Sequence, residues 1–267
     1  MKNKKLSLYK MIPNMITLTA IAAGMTSIKF AIVGKWEHAV IAIVVASFMD
    51  AFDGAAARLL KAQSKLGAEL DSLSDFICFG VAPAIVVFLW STHNTGRFGW
   101  FMALIFAMAV ALRLARFNVA KEEEKSDDPL SKYFTGVPSP VGAGLAILPM
   151  IVSFQMDPVL DAGVLHYTTR PDIVGGWLLI LSAMMVSHIP TFSSKQIRIP
   201  QKMSVPALAL FGILIAGIIN ETWPTLTLMG VLYLFSLPWS VRHYDKKKNS
   251  LAQGLKDPDD LDHDLDD

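Results

Sequence analysis

Four aspartates stand apart from the rest of this chain. Asp50, Asp53, Asp71 and Asp75 lie inside, or at the edge of, two long apolar stretches, within the segment DAFDGAAARLLKAQSKLGAELDSLSD. A carboxylate at bilayer depth costs about 2.5–3.5 kcal/mol, and neighbouring carboxylates also repel one another. Such a set persists only with cations, protons or water to offset it. Helical spacing shows where the side chains point. Asp50, Asp53, Gly54, Ala57 and Arg58 fall at i, i+3, i+4, i+7 and i+8, which is one helix face. Gly67, Asp71 and Asp75 fall at i, i+4 and i+8 on the next helix. The turn between them falls near residues 62–64. An antiparallel pair about that turn sets Asp50 level with Asp75 and Asp53 level with Asp71. At about 1.5 Å per residue, all four lie roughly 13–20 Å from the turn. Gly54 and Gly67, with Ala55, Ala56 and Ala57, remove bulk beside them. Converging carboxylates with no histidine or cysteine placed to join them suit a hard cation, magnesium or manganese rather than zinc. Two such ions could bridge a diphosphate and stabilise charge during phosphoryl exchange. The plainer alternative is a water-filled vestibule whose acids are offset by Arg58, Lys61 and Lys65.

The elements that must position these acids are membrane helices. Apolar segments run near 12–34, 37–57, 68–90, 97–118, 138–155, 172–189, 204–220 and 223–241. Each is long enough to cross a hydrocarbon core of about 30 Å. The expected fold is therefore all-α, a polytopic bundle of about eight transmembrane helices. Basic residues orient it. Twenty of the 24 lysines and arginines fall on one side: the start of the chain, the loops after the second, fourth and sixth spans, and the tail. Lys35, Arg97 and Arg170 fall on the other side, and Lys29 lies within the first span. The basic side is expected to be cytoplasmic, with both termini and the acid pocket on it. The first span is read as a retained helix, since its apolar run is long and no small-residue cleavage site follows.

Composition agrees. Of 267 residues, 53% are hydrophobic and 18% charged, with a net charge of +1. The mean hydropathy is +0.44. That balance gives no global field for nucleic acid. The single cysteine, Cys78, excludes an internal disulfide and a cysteine metal cluster, and it has no neighbouring base to make it a nucleophile. Residues 1–11 read as an amphipathic cytoplasmic segment, 12–244 as the transmembrane catalytic domain, and 245–267 as a disordered acidic cytoplasmic tail. His93 and His166 lie on the far side. His188 reads as a packed or capped histidine. Trp36, Trp100, Trp177, Trp223 and Trp239 sit near span ends, where interfacial aromatics gather.

The acid segment as a whole reads D-x2-D-G-x2-A-R-x8-G-x3-D-x3-D. It resembles the signature of the CDP-alcohol phosphotransferase family at every signature position. That resemblance implies a two-metal membrane enzyme that moves a substituted phosphate from a CDP-linked donor to an alcohol. It implies that Asp50, Asp53 and Asp71 hold the metals. Asp75 would contribute to the second metal and act as general base. Asp53, Gly54, Ala57, Arg58 and Gly67 would meet the cytidine diphosphate. The run PNMIT is similar to the family's first helix, which would bring Asn14 and Thr17 to the diphosphate.

Three further runs, DFICFGVAPA, RLARFN and FTGVPSPVGAG, resemble the bacterial integral-membrane branch that uses serine as acceptor. The reaction implied is CDP-diacylglycerol plus L-serine giving phosphatidylserine and CMP, in the inner membrane, by a homodimer. Arg113 and Arg116, three apart at a cytoplasmic helix end, could clamp the serine carboxylate, with Asn118 assisting. Lys132 is a weaker candidate. Glycerol phosphate, inositol phosphate and choline remain rival acceptors, although choline asks for an aromatic cage rather than paired arginines. A cation or proton transporter would also use buried acids. Such proteins often carry inverted repeats and matched broken helices, and the sequence shows neither.

Overall fold

The computed structural model describes residues 8–123, 134–135, 137–156, 162–187, 190–191 and 204–252. A short 3₁₀ turn, Leu8–Met11, leads into α1, Ile12–Ile32. Pro13 sits in the first turn of α1, where its missing N–H costs nothing. Then come α2, Trp36–Leu59, and α3, Lys65–Asp75. The chain widens to a π-helical segment, Phe76–Val81, before α4, Ala82–Trp90. Pro83 offers no N–H to the carbonyl four residues earlier, and a π turn accommodates that defect without ending the helix. A 3₁₀ turn, Thr92–Thr95, precedes α5, Arg97–Glu123. The two-residue strands β1, Phe134–Thr135, and β2, Pro190–Thr191, flank α6, Ser139–Ala146; α7, Leu148–Ser153; α8, Ala162–Thr169; and α9, Pro171–Val186. The last helices are α10, Ser204–Asn220, and α11, Thr222–Ala252.

The chain divides into two compact units. The first comprises Met1–Lys121 and Pro138–Val186. In it α1 runs along α2, and it also touches α3, α4 and the π segment. The face that α1 buries is small: Thr17, Ala20, Gly24, Ser27 and Ala31. Small residues let the backbones approach closely, which is how helices pack where lipid removes the hydrophobic drive. A Cβ added at Gly24 would stand 2.8 Å from Cys78 Sγ. Cys78 in turn donates to the Ala20 carbonyl at 3.2 Å. Ala20, Ala46, Cys78, Phe79 and Ala143 form one buried cluster, which joins α1, α2, the π segment and α6. The second unit comprises Glu122–Val137 and Ser187–Asp267. There β1 pairs antiparallel with β2, Phe134 opposite Thr191 and Thr135 opposite Pro190. In the same unit α10 packs on α11, with Gly217 facing Thr225.

The helical class agrees with the sequence expectation, and the spans identify a membrane protein. The number of long spans differs. Among the described residues, four helices are long and apolar enough to cross a bilayer: Ile12–Ile32, Trp36–Leu59, Lys65–Trp90 and Arg97–Ala120. A fifth arises if Gly163–Thr169 and Pro171–Val186, bent by 56°, count as one span. The expected span at 138–155 is broken at Ile147 into α6 and α7. Pro149 is the reason: it cannot donate to the Leu145 carbonyl. Trp177 Nε1 donates to that carbonyl instead, at 2.7 Å. Trp177 therefore has a specific backbone partner, beyond the interfacial role expected of it. Helix α11 continues to Ala252, past the expected start of the tail at Asp245. The lysine run at 246–248 favours helix. Residues 253–267, Lys132 and His188 lie outside the described residues.

Candidate active site

The acid row is built by three helices. Helix α2 ends at Leu59, and the connection to α3 turns through Lys61, whose φ is +47°. Ser64 caps α3, its hydroxyl accepting from the Gly67 N–H at 3.0 Å. This cap fixes the first turn of the helix that carries Asp71 and Asp75. Oxygens of Asp50, Asp53 and Asp71 then lie within 4.8 Å of one another. Asp53 is only 4% exposed. The third helix supplies its partner: Thr17 Oγ1 on α1 donates to Asp53 Oδ2 at 2.6 Å. The same hydroxyl lies 3.0 Å from the Pro13 carbonyl. The shorter distance and the carboxylate's charge favour Asp53 for its proton.

Asp75 completes the row. It lies one helical turn beyond Asp71 on α3, outside the group of three whose oxygens converge. Asp75 Oδ1 is buried with no hydrogen-bond partner among the described residues. A buried carboxylate oxygen left in that condition is costly. The donor set is oxygen throughout, held on neighbouring helix faces, so these residues fit a hard divalent cation.

The other expected site residues fall in three places. Gly67 faces Asn14: a Cβ there would stand 3.0 Å from Asn14 Oδ1 and 3.1 Å from Ser64 Oγ. Gly54 faces Arg58, whose Nη1 lies 3.6 Å from a Cβ built at Gly54. Ala57 shares that stretch of α2, half-buried, while Arg58 is exposed. Gly67 thus lets Asn14 on α1 approach α3 closely. Helix α5 supplies the second group. Arg113 is buried, at 8% exposure, on the stretch of α5 between Val110, which packs on Gly80, and Asn118. Asn118 Nδ2 donates to Ser72 Oγ at 3.0 Å, beside Asp71. Arg116 goes elsewhere: its Nη1 donates to the Val186 carbonyl at the end of α9, at 2.9 Å. The structure thus gives Arg113 and Arg116 different partners. It also adds Ser139, 1% exposed, which accepts from Arg113 Nη1 at 2.6 Å. The sequence marks Ser139 by its place between Pro138 and Pro140, inside the run FTGVPSPVGAG.

An oxygen-donor cluster with small residues packed beside it suits the binding and exchange of a diphosphate. Comparison with known proteins points the same way. Residues 10–189 match the CDP-alcohol phosphatidyltransferase family, and residues 202–238 match a second family described as CDP-alcohol phosphatidyltransferase 2. The CDP-diacylglycerol–serine O-phosphatidyltransferase of Mycobacterium tuberculosis (strain ATCC 25618 / H37Rv) is 30% identical over 233 residues, covering 87% of this chain and 79% of its own length. The protein of the same description from Helicobacter pylori (strain J99 / ATCC 700824) is 31% identical over 198 residues, 73% of this chain and 78% of its own. That from Bacillus subtilis (strain 168) is 36% identical over 151 residues, 57% of this chain and 80% of its own. The first match spans the whole acid row and the helices that aim it, and on that ground the chain belongs to the CDP-alcohol phosphatidyltransferase family.

Proposed function

We propose that this protein transfers the phosphatidyl group of CDP-diacylglycerol to the hydroxyl of L-serine, giving phosphatidylserine and CMP. The observation that carries the reading is the convergence of Asp50, Asp53 and Asp71 within 4.8 Å, with Asp75 one helical turn beyond Asp71. The names borne by relatives in several bacteria and in Saccharomyces cerevisiae supply the acceptor. Asp50, Asp53, Asp71 and Asp75 would hold two divalent ions, Mg²⁺ or Mn²⁺. When bound, such ions offset the diphosphate's charge and stabilise the charge that develops on transfer.

The chain's own residues do the rest. Asn14, Thr17, Gly54, Ala57, Arg58 and Gly67, with Asp53, receive the cytidine diphosphate. Thr17 keeps Asp53 oriented through its hydroxyl. Asp75 takes the proton from the serine hydroxyl as that oxygen bonds to the β-phosphorus. The bond from that phosphorus to the bridging oxygen breaks, and CMP leaves with the oxygen. Arg113, Arg116 and Asn118 serve the acceptor side. The working orientation has eight crossings, some by short broken helices, in the inner membrane, with both termini and the acid row facing the cytoplasm. Arg58, Lys61 and Lys65 around the turn support this side for the pocket. A homodimer is the expected assembly.

The test uses purified protein, radiolabelled serine, CDP-diacylglycerol and either metal. A lipid-soluble product that needs the metal and disappears with EDTA or with Asp71→Asn is the expected result. Full turnover by Asp71→Asn would overturn the metal assignment. Product with glycerol phosphate and none with serine would overturn the acceptor.

A further inference from the structure

We propose that Ser139 is a positioning residue, fixing the Arg113 guanidinium beside the acid row so that it meets the carboxylate of the acceptor amino acid. This rests on serine being the acceptor. The two side chains meet in a closed place: Arg113 is 8% exposed, Ser139 is 1% exposed, and Nη1 to Oγ is 2.6 Å. A charged donor makes a bond of this kind about twice as strong as a neutral pair.

The mounting of Ser139 is rigid. Proline precedes and follows it, so the backbone has little freedom on either side. The Gly142 N–H bonds the Pro138 carbonyl at 2.8 Å and closes the first turn of α6. Ala143, one turn on, is fully buried in the cluster with Cys78 and Phe79. Those two residues belong to the π segment that begins directly after Asp75. Ser139 and Asp75 are thus tied to one packed block, while Arg113 arrives from α5.

Charge supplies the function. Divalent ions on the acid row would be matched by carboxylates and diphosphate. A substrate carboxylate needs a further cation at the acids, and Arg113 lies on α5 between Val110, which packs on Gly80, and Asn118, which bonds Ser72, so it comes level with the residues next to Asp75. Arg116, bonded to the Val186 carbonyl, is directed toward α9. A long arginine loses up to about 2 kcal/mol of rotamer freedom when it is fixed. Fixing it in advance removes that cost from acceptor binding.

The experiment compares Ser139→Ala and Arg113→Met, singly and together, in the full-length protein. Each substrate is titrated with the other saturating, and each variant's thermal transition is recorded. Ser139→Ala is expected to raise KM for serine about tenfold, with kcat and KM for CDP-diacylglycerol within about twofold. In the Arg113→Met background, Ser139→Ala is expected to add no further rise. An equal loss with both substrates, a loss in kcat alone, or additive effects in the double variant would overturn the positioning role. If Arg113→Met yields no folded protein, the split between the two KM values in Ser139→Ala decides. A wild-type protein that ignores serine and uses another acceptor would remove the proposed function itself, and this role with it.

Discussion

Thr17 shows how much one hydroxyl carries in this site. Asp53 is buried, and its Oδ2 receives the Thr17 proton at 2.6 Å. Thr17→Val keeps the shape and deletes the donor, leaving a buried carboxylate oxygen without that partner. A hydrogen bond to a charged group contributes about 1.5–3 kcal/mol, so the expected loss in kcat/KM at limiting metal is roughly 10–100-fold. The metal concentration for half-maximal activity should rise in step, and Thr17→Ser should recover most of both. An unmoved metal titration in Thr17→Val would remove Thr17 from the site. The acids themselves were legible from sequence, because i, i+3, i+4 spacing alone sets a helix face. The Thr17–Asp53 and Arg113–Ser139 bonds were not. They join side chains on different helices, and their meeting depends on how α1 lies on α2 and how α6 lies on α5.

Elements depart from the sequence reading where proline interrupts them. Hydropathy counts apolar residues and is blind to a missing N–H, so 138–155 looks like one span and folds as α6 and α7. Pro149 frees the Leu145 carbonyl, and Trp177 Nε1 from α9 satisfies it at 2.7 Å. Within a membrane a freed carbonyl has no water to turn to. The indole therefore joins α9 to the break in α6 and α7 and keeps a bent segment in place. Trp177→Phe keeps the ring and removes the donor. It should lower stability by about 1–2 kcal/mol, read as a lower unfolding midpoint in detergent. Serine and CDP-diacylglycerol KM values should stay put, since neither Trp177 nor Leu145 contributes to the acid row. An unchanged midpoint would mean the carbonyl finds another partner. The π segment at Phe76–Val81 escaped the sequence for the same reason, with Pro83 as its signal.

At the scale of the whole molecule, the distribution of charge was the most legible feature and the orientation it implies is open to direct test. The connection between α2 and α3 carries the exposed Gln63 among Arg58, Lys61 and Lys65. The turn before α5 carries the exposed Asn94. If basic residues stay on the cytoplasmic side, these two positions face opposite compartments. The chain suits labelling, because its single native cysteine, Cys78, is 1% exposed and should stay silent toward a membrane-impermeant maleimide. Asn94→Cys should label from outside intact cells. Gln63→Cys should label only after the membrane is opened. The reverse pattern would turn the pocket outward, away from the compartment that supplies CDP-linked lipid and free serine, and the acid row would have to serve some other chemistry. Labelling of both from outside would instead move a crossing between α2 and α5, where a single continuous helix, Lys65–Trp90, now separates the two positions.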